Sequence, residues 1–359
     1  MIRPRQDYSL TERWLHRLVL HSTDVRRLSF DLETFVLGRT VQPTSDRPVY
    51  LCGLARSGTT LLLRLLEQSG EFASLSYRDM PFVMAPNLWA WLSHRWQRRG
   101  LAQERVHGDG VLVDYDSPEA FEEVFWQTFD SHLERDPDCY GAEMPSQALL
   151  EKFARYRGLV EAVVQRRTGE ARRRRYLSKN NNNLMRLEAL CSEPGATVLV
   201  LFREPIATAR SLKRVHERLG AERDDFTRLY MDWLGHFEFG PGHRPFLFAR
   251  AYMRDGLSAS SPDYWLDYWT AVHRHILENA APFQLVDYDL LCSLPIDALD
   301  DMRRRVISRN DLRSLAPQVK PLRPEDAPVE FDPELVARAR DVHRALQHRR
   351  VAETHGAAA

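Results

Sequence analysis

Residues 49–60 read VYLCGLARSGTT and combine a short apolar run, a glycine-containing turn and the start of a helix. The run Val49–Cys52 has the length and apolar character of a buried strand, and Gly53 stops it. From Gly58 onward the pattern predicts a helix that closes near Ser69. Between a strand and a helix, the backbone N–H groups of the turn and the positive end of the helix dipole can hold an anion. The segment therefore predicts a phosphate-binding loop.

The loop keeps the G-x-x-x-x-G spacing of nucleoside-triphosphate loops, from Gly53 to Gly58, but it lacks their lysine. Thr59 stands where that lysine would reach the terminal phosphates, and the cation is Arg56, inside the loop. This arrangement favours a donor with a shorter anionic tail than ATP with magnesium. The alternative is an ordinary Gly/Ser turn that joins a strand to a helix.

A second strand–helix unit carries a complementary set of residues. Residues 197–202 read TVLVLF, a continuous apolar run typical of a buried parallel strand. Arg203 follows with a fork of donors suited to phosphate, Pro205 starts a helix, and Ser211 lies about two turns along it. Both units place their polar residues at the carboxyl ends of strands, where open α/β sheets bind ligands. The alternative is a surface arginine and a helix-packing serine.

The two units together resemble the PAPS-dependent sulfotransferases, whose donor is 3′-phosphoadenosine 5′-phosphosulfate. Arg-Ser-Gly-Thr-Thr after a strand is similar to the 5′-phosphosulfate loop of that family, especially in its carbohydrate and tyrosylprotein branches. Arg after a strand, with Pro two and Ser eight residues on, is similar to its 3′-phosphate site. The residues that the resemblance implies in binding PAPS are Arg56, Ser57, Gly58, Thr59, Thr60, Arg203 and Ser211.

The same resemblance implies residues that act on the transferring group. In those families a strand between the two units ends in Lys beside that group. Here residues 176–184 read YLSKNNNNL, which keeps Lys179 but has asparagines where the family often has Pro. Lys179, Arg56 and Thr60 are implied to stabilise charge that develops on the oxygens of the donor. An Asn-rich turn without a catalytic role is the alternative for this stretch.

Transfer to a hydroxyl also needs a base near the acceptor oxygen. The tyrosylprotein branch places a Glu shortly after the first helix and the next strand, where this chain has Tyr77. Asp79 is the closest carboxylate and the first candidate, with an exposed or arginine-paired Asp as the alternative. His107 is the second candidate, because the cytosolic branch uses a His later in the chain. Further carboxylates, each a helix-surface Glu by default, are Glu122, Glu123 and Glu143.

Strands that alternate with helices predict a P-loop-like three-layer α/β fold around a central, mostly parallel sheet. The predicted units are a helical N-terminal extension over 1–46, a sulfotransferase domain over 47–325, and a C-terminal helix with a frayed tail over 326–359. Further helices are predicted from Pro118 to Phe129 and over 147–170, 223–237, 262–280 and 332–351, and further strand-like runs over 72–77 and 283–288.

Two compositional features have competing interpretations. The stretch 81–101 is predicted as a helical insertion over the acceptor side. Three alternatives are open for its Trp89, Trp91 and Trp96: they line an acceptor pocket, contact a membrane surface or pack in the core. The run Arg172–Arg175 either gathers anionic donor or acceptor molecules or is a solvated helix end.

Composition narrows the classes of function. The 359 residues include 50 acidic and 50 basic ones, which argues against a strongly basic nucleic-acid binder. Four separated cysteines without a C-x-x-C pair favour a reducing cytoplasm. We expect no signal peptide and no membrane span, because the first residues contain no apolar core and no apolar stretch reaches ~20 residues. We also expect no metal, because the sequence contains no H-E-x-x-H motif and no Cys/His cluster.

The sequence therefore predicts an enzyme that transfers a sulfuryl group from PAPS to a hydroxyl or amine and releases PAP, adenosine 3′,5′-bisphosphate. Its expected partner is a small-molecule, glycan or lipid acceptor, with peripheral membrane contact as an option and no nucleic acid. A kinase that uses the same loop for ATP and a catalytically silent nucleotide-binding protein are the alternatives. A dependence on magnesium reveals the first, and binding of PAP without turnover reveals the second.

Overall fold

The computed structural model describes residues 9–38, 41, 47–94, 103–104, 112–113, 118–136, 138–222, 224–322 and 330–356. The helices are α1 (Leu10–His21), α2 (Thr23–Leu37), α3 (Thr59–Gln68), α4 (Pro86–Ser93), α5 (Glu123–Phe129), α6 (Gln147–Thr168), α7 (Leu187–Cys191), α8 (Pro205–Gly220), α9 (Asp225–Trp233), α10 (Leu247–Arg250), α11 (Pro262–Glu278), α12 (Tyr288–Ser293), α13 (Pro295–Arg305) and α14 (Pro333–Gly356). The strands are β1 (Val49–Gly53), β2 (Phe72–Ala73), β3 (Gln103–Glu104), β4 (Leu112–Val113), β5 (Glu134–Arg135), β6 (Tyr140–Gly141), β7 (Arg175–Lys179), β8 (Thr197–Phe202) and β9 (Gln284–Asp287). Short 3₁₀-helices cover Tyr77–Asp79, Asn181–Arg186 and Leu312–Gln318.

Five of the strands form one parallel sheet in the order β2–β7–β1–β8–β9. β1 lies at its centre, with Leu51 opposite Lys179 on β7 and Gly53 opposite Leu201 on β8. β8 is buried along its whole length, as expected of a strand that is covered on both faces. The predicted α/β fold with a central parallel sheet is confirmed.

Successive residues of the central strand face two separate cores. Tyr50 and Cys52 belong to the larger core, which α6, α8, α11 and α14 cover, whereas Val49 and Leu51 belong to the smaller core beneath α3, α12 and α13. The sheet is therefore the middle layer of three.

The terminal helices pack against the same body. The α2 residue Phe30 meets Phe129 of α5 with ring centroids 5.1 Å apart. Near the end of α14, the Glu353 carboxylate accepts a hydrogen bond of 2.9 Å from the N–H of Leu285 on β9. The division of the chain at residues 46 and 325 stays a prediction.

The helix predicted to start at Pro118 starts at Glu123 instead. Pro118 forms an antiparallel bridge with Ser76, and the N–H of Glu119 donates to the carbonyl of Leu75 at 3.2 Å. Because this pairing holds residues 118 and 119 alongside the segment after β2, the helix begins only after them. The run predicted over 72–77 is correspondingly a strand only over its first two residues.

The other predicted strands and helices are present close to their expected positions. They include the strand before the loop, the strand before Arg203, the helices from Gly58 and Pro205, and the long helices over 147–170 and 262–280. The helices α7, α10, α12 and α13 have no counterpart among the predictions. The first three of these span six residues or fewer, which is too short to show a clear period.

A buried ion pair ties α5 to the segment after β7. The two terminal nitrogens of Arg186 each lie 3.0 Å from a carboxylate oxygen of Glu123, and both side chains are almost fully buried. The Arg186 guanidinium also lies 4.6 Å from the centroid of the Trp126 ring. A bidentate pair stacked on an aromatic ring fixes both partners in position.

We expect Arg186→Ala to lower the free energy of unfolding by about 3–5 kcal/mol, because it leaves the buried Glu123 carboxylate without its partner. Urea denaturation followed by circular dichroism measures this loss. The control is Arg304→Ala, whose partner Asp300 lies with it on the exposed side of α13, and it is expected to cost less than about 1 kcal/mol. Similar small losses in both variants would contradict the expected role of the buried pair.

Candidate functional site

A cleft of about 170 Å³ lies at the carboxyl edge of the sheet, where β1, β7, β8 and β9 end. This strand-end cleft is lined by loop residues 55–56 and 58–61 and by Lys179, Asn181, Arg203, His236, Glu238, Phe239 and Tyr288. The structure thus brings the predicted loop, the predicted lysine and the predicted arginine to one cavity.

The loop between β1 and α3 depends on two glycines. Gly53 has a φ of 153°, and a Cβ there would lie 2.4 Å from the carbonyl oxygen of Leu201. Gly58 has a φ of 92°, and a Cβ there would lie 2.0 Å from a ring carbon of Tyr288. Because both positions lack room for a side chain, the loop backbone lies directly against β8 and beneath the Tyr288 ring.

Arg56 connects the two predicted phosphate units. It adopts a φ of 73°, which is uncommon for a residue with a side chain. Its Nε donates a hydrogen bond of 3.0 Å to the hydroxyl of Ser211, a residue 155 positions further along the chain. The loop and the helix α8 are therefore joined at the edge of the strand-end cleft.

Arg203 follows the last residue of β8 and is partly buried in the cleft. Its guanidinium carbon lies 5.1 Å from the centroid of the Tyr288 ring. Within the described part of the chain, Arg203 Nε and the hydroxyl of Ser57 are buried and make no hydrogen bond. Buried polar groups usually have partners, so these two atoms leave donors for an anion at this edge of the sheet.

The asparagine run Asn180–Asn183 is buried, and its members make specific contacts. The side-chain oxygen of Asn180 accepts from the N–H of Asn182 at 3.1 Å and caps the 3₁₀-helix. Asn182 donates to the carbonyl of Gly235 at 2.9 Å. The run therefore caps and begins a 3₁₀-helix, and it also holds the segment around Gly235 beside Lys179.

Asn181 links the phosphate loop to an acidic side chain. Its side-chain oxygen accepts from the Thr59 hydroxyl at 3.3 Å, and its nitrogen donates to Glu238 Oε1 at 3.0 Å. His236 Nδ1 lies 3.6 Å from the other carboxylate oxygen of Glu238. A row of polar side chains thus runs from the loop across the strand-end cleft to His236.

Glu238 is charged despite its burial. Burial by itself would raise the pKa of its carboxyl, but the attraction of His236, the charge of Lys179 and the hydrogen bond from Asn181 outweigh it and lower the pKa to about 2. The carboxylate is therefore ionised at neutral pH.

The structure places the candidate base Asp79 away from the strand-end cleft. Asp79 is fully buried, and the Arg167 guanidinium lies 2.5 and 3.2 Å from its two oxygens. It also accepts a hydrogen bond of 2.8 Å from the N–H of Ser76. Asp79 is thus an arginine-paired carboxylate outside the cleft lining, and its role as the base stays a prediction.

The remaining candidate carboxylates also lie outside the cleft lining. Glu122 accepts hydrogen bonds from the hydroxyls of Tyr176 and Ser178, and Glu123 pairs with Arg186. Glu143 is exposed. His107 and Trp96 lie outside the described residues, so their predicted roles stay predictions.

The tryptophans and the arginine run do not line the cleft either. Trp89 stacks on Phe82 with ring centroids 5.1 Å apart, and Trp91 is exposed. The run Arg172–Arg175 reaches only the amino end of β7, whereas Lys179 at the carboxyl end lines the cleft. Among these residues, none supports an acceptor-pocket or anion-gathering role.

Three cleft residues carry no prediction from the sequence, namely His236, Glu238 and Tyr288. Tyr288 directly follows β9, so the strand-end rule that singles out Arg203 could have identified it. His236 falls within the helix predicted over 223–237, but α9 ends at Trp233, and residues 234–240, LGHFEFG, form neither a strand nor a helix.

Two further properties concern the described residues as a whole. None of the described helices is both long enough and apolar enough to cross a bilayer. No three His, Cys, Asp or Glu side chains in the described ranges are grouped as ligands for a metal ion.

The model of the sulfotransferase family matches residues 48–240, more than half of the chain. Among solved structures, sulfotransferase STF1 from Mycobacterium tuberculosis H37Rv is 17% identical, with 86% of this chain and 80% of that chain covered and a TM-score of 0.49. Sulfotransferase STF9 from Mycobacterium avium is 16% identical, with coverages of 94% and 78% and a TM-score of 0.44. A sulfotransferase from Alicyclobacillus acidocaldarius is 12% identical, with coverages of 85% and 96% and a TM-score of 0.40. No curated protein matches the sequence.

We expect Gly58→Ala to lower the free energy of unfolding by about 1–3 kcal/mol more than Gly169→Ala, because only the first new methyl group overlaps another side chain. Both glycines have positive φ, at 92° and 69°, but a Cβ at Gly169 meets no atom within 4 Å. Thermal and urea denaturation of the two variants measure the difference. The double variant Gly58→Ala/Tyr288→Ala should show a smaller penalty at residue 58, and equal losses at both glycines would contradict the contact with Tyr288.

Proposed function

Because this chain belongs to the sulfotransferase family, we propose that it transfers a sulfuryl group from PAPS to a hydroxyl or amine of an acceptor and releases PAP. The observation that carries the proposal is the hydrogen bond between Arg56 and Ser211, which joins the two units expected to hold the two ends of the donor. A small molecule, a glycan or a lipid is the expected acceptor.

The residues around the strand-end cleft fit an anionic donor. Arg56, Lys179 and Arg203 line one cavity, and the first turn of α3 points its N–H groups toward it. In the proposed arrangement, residues 56–60 bind the 5′-phosphosulfate, and Arg203 and Ser211 bind the 3′-phosphate. The buried Nε of Arg203 and the hydroxyl of Ser57 then gain the partners that they lack within the described residues.

Arg56, Lys179, His236 and Glu238 each have a part in the proposed reaction. PAPS supplies a sulfuryl group whose bond to the 5′-phosphate breaks as the acceptor oxygen forms a bond to sulfur. Arg56 and Lys179 stabilise the negative charge that collects on the departing phosphate oxygen. His236 accepts the proton of the acceptor hydroxyl, and the ionised Glu238 stabilises the imidazolium that results.

The choice of His236 over Glu238 as the base rests on proton affinity. A carboxyl group with a pKa of about 2 holds a proton weakly, so Glu238 is a poor acceptor of the hydroxyl proton. An imidazole is the side chain most often used for this step. Asn181 fixes Glu238, and Glu238 in turn orients His236. We therefore assign Glu238 as the positioning residue.

Calorimetric titration with PAP and with ATP–Mg tests the donor. We expect PAP to bind in the micromolar range and ATP–Mg not to bind. Arg203→Ala should weaken the binding of PAP by about tenfold or more, since a hydrogen bond to a charged group contributes about 1.5–3 kcal/mol to the binding free energy. Arg214→Ala removes an exposed arginine on α8, the helix that follows Arg203, and as the control it should leave the affinity unchanged. Binding of ATP–Mg without PAP would assign the loop to a kinase.

Turnover with radiolabelled PAPS, measured on the best acceptor from a screen of hydroxyl compounds, tests the base. We expect His236→Ala to lower kcat by about 10²–10⁴-fold while PAP still binds. Glu238→Gln should lower kcat less than His236→Ala does, because it removes the neighbouring carboxylate but leaves the imidazole in place. A fully inactive Glu238→Gln beside an active His236→Ala would make Glu238 the base. PAP binding without turnover on any acceptor would favour a silent nucleotide-binding protein.

A further inference from the structure

The helix α2 is apolar on two opposite faces. Phe30 and Leu37 pack into the core of the protein. Leu28, Leu32 and Phe35 are instead 68%, 52% and 85% exposed. At about 100° per residue, this second set lies on the side of the helix opposite the first. A helix with apolar residues on all sides is normally buried on all sides, so the outer face of α2 lacks a partner within the described residues.

The preceding helix repeats the pattern. Val19 and Leu20 of α1 are buried, whereas Leu10, Trp14 and Leu18 are 87%, 64% and 47% exposed. These three residues are spaced four apart and form a row along the outer side of α1. The two rows, Leu10/Trp14/Leu18 and Leu28/Leu32/Phe35, are named here the outer face.

Neighbouring contacts hold these helices in place. On α1, Arg13 lies 3.0 Å from Asp224 at the start of α9. On the inner side of α2, the Glu33 carboxylate accepts a hydrogen bond of 3.1 Å from the N–H of Asn87 in the first turn of α4. Because α1 and α2 are fixed on their inner sides, the outer face cannot turn inward.

The outer face has the size of a protein interface. Trp14 and Phe35 are each roughly two-thirds or more exposed, and an aromatic side chain can bury roughly 150–250 Å². These two rings therefore offer on the order of 200–330 Å², which already reaches the lower end of the roughly 300–600 Å² of the largest patch on a typical monomer. The exposed leucines extend the area toward the roughly 800 Å² per partner of a stable complex.

The charges beside the outer face favour a second copy of the same chain. Arg17, Asp24 and Asp31 are exposed next to these rows, so the surface carries charges of both signs. Helices that lie on lipid carry a polar face rich in Lys and Arg, which this one is not. In a two-fold symmetric contact, acidic groups of one copy can meet basic groups of the other. We therefore propose that the outer faces of α1 and α2 form the contact between two copies of this chain.

Light scattering after size exclusion, on the full chain at micromolar concentration, tests the contact. The expected mass is twice the 41.8 kDa of one chain. Phe35→Glu and Trp14→Glu should each weaken the dimer by about tenfold or more, because they place an unpaired charge in an apolar contact. Circular dichroism is expected to be unchanged, since both side chains point outward. Ile296→Glu, at an exposed apolar position on α13, is the matched control and should leave the dimer intact.

A wild-type chain that stays monomeric overturns the proposal, and so does a dimer that both substitutions leave intact. Co-sedimentation of the monomer with phosphatidylcholine or phosphatidylserine vesicles, abolished by Phe35→Glu, assigns the outer face to a lipid surface and also overturns it. The Phe35→Glu variant is also titrated with PAP and should bind it as the wild type does, because this substitution lies outside the strand-end cleft. Loss of the dimer is thereby distinguished from failure of the proposed function.

Discussion

The bidentate ion pair between Glu123 and Arg186 fixes the segment on which the strand-end cleft is built. Glu123 also accepts a hydrogen bond of 2.7 Å from Asn180, and Arg186 ends the 3₁₀-helix that contains the asparagines. The adjacent Glu122 accepts a hydrogen bond of 2.8 Å from Asn183. Two neighbouring glutamates at the start of α5 thus hold the chain immediately after β7. Since a buried polar network stabilises a protein only when its members are satisfied, each partner depends on the others.

The position of the reactive side chains follows from this anchoring. Lys179 ends β7, Asn181 begins the 3₁₀-helix, and the contact of Asn182 with Gly235 draws in the segment that carries His236. A segment with no strand or helix of its own is therefore held in part by side-chain hydrogen bonds from the asparagine run. The part of the cleft around His236 and Glu238 depends on the asparagine run, whereas the part around Arg56 and Arg203 depends on strand ends.

The sequence predicts that Arg56 and Arg203 lie at one edge of the sheet, because the patterns that indicate this are local. The strand before Gly53 and the strand before Arg203 are each followed within a few residues by the side chains that line the cleft, and parallel strands place their carboxyl ends together. The contact between Arg56 and Ser211 then follows from the neighbouring positions of β1 and β8.

The surroundings of Asp79, His236 and Glu238 could not be predicted in the same way. The pairing of Asp79 depends on Arg167, which lies 88 residues away in sequence and on another helix. A resemblance based on spacing cannot show that such a partner is present. Hydrogen bonds from Asn181 and Asn182 hold Glu238 and the segment around His236 in position. In the sequence, Asn181 and Asn182 are visible only as part of an asparagine run of a kind typical of turns.

The hydrogen bond from Arg56 to Ser211 also bears on how the donor site is prepared. An arginine side chain has about 2 kcal/mol of rotamer entropy when it moves freely in solvent. In this structure Arg56 is held by Ser211, and its backbone conformation is set by the loop between Gly53 and Gly58. The entropy loss therefore occurs during folding and not on ligand capture. The donor site is preorganised, so the favourable electrostatic energy of binding is offset less by conformational ordering.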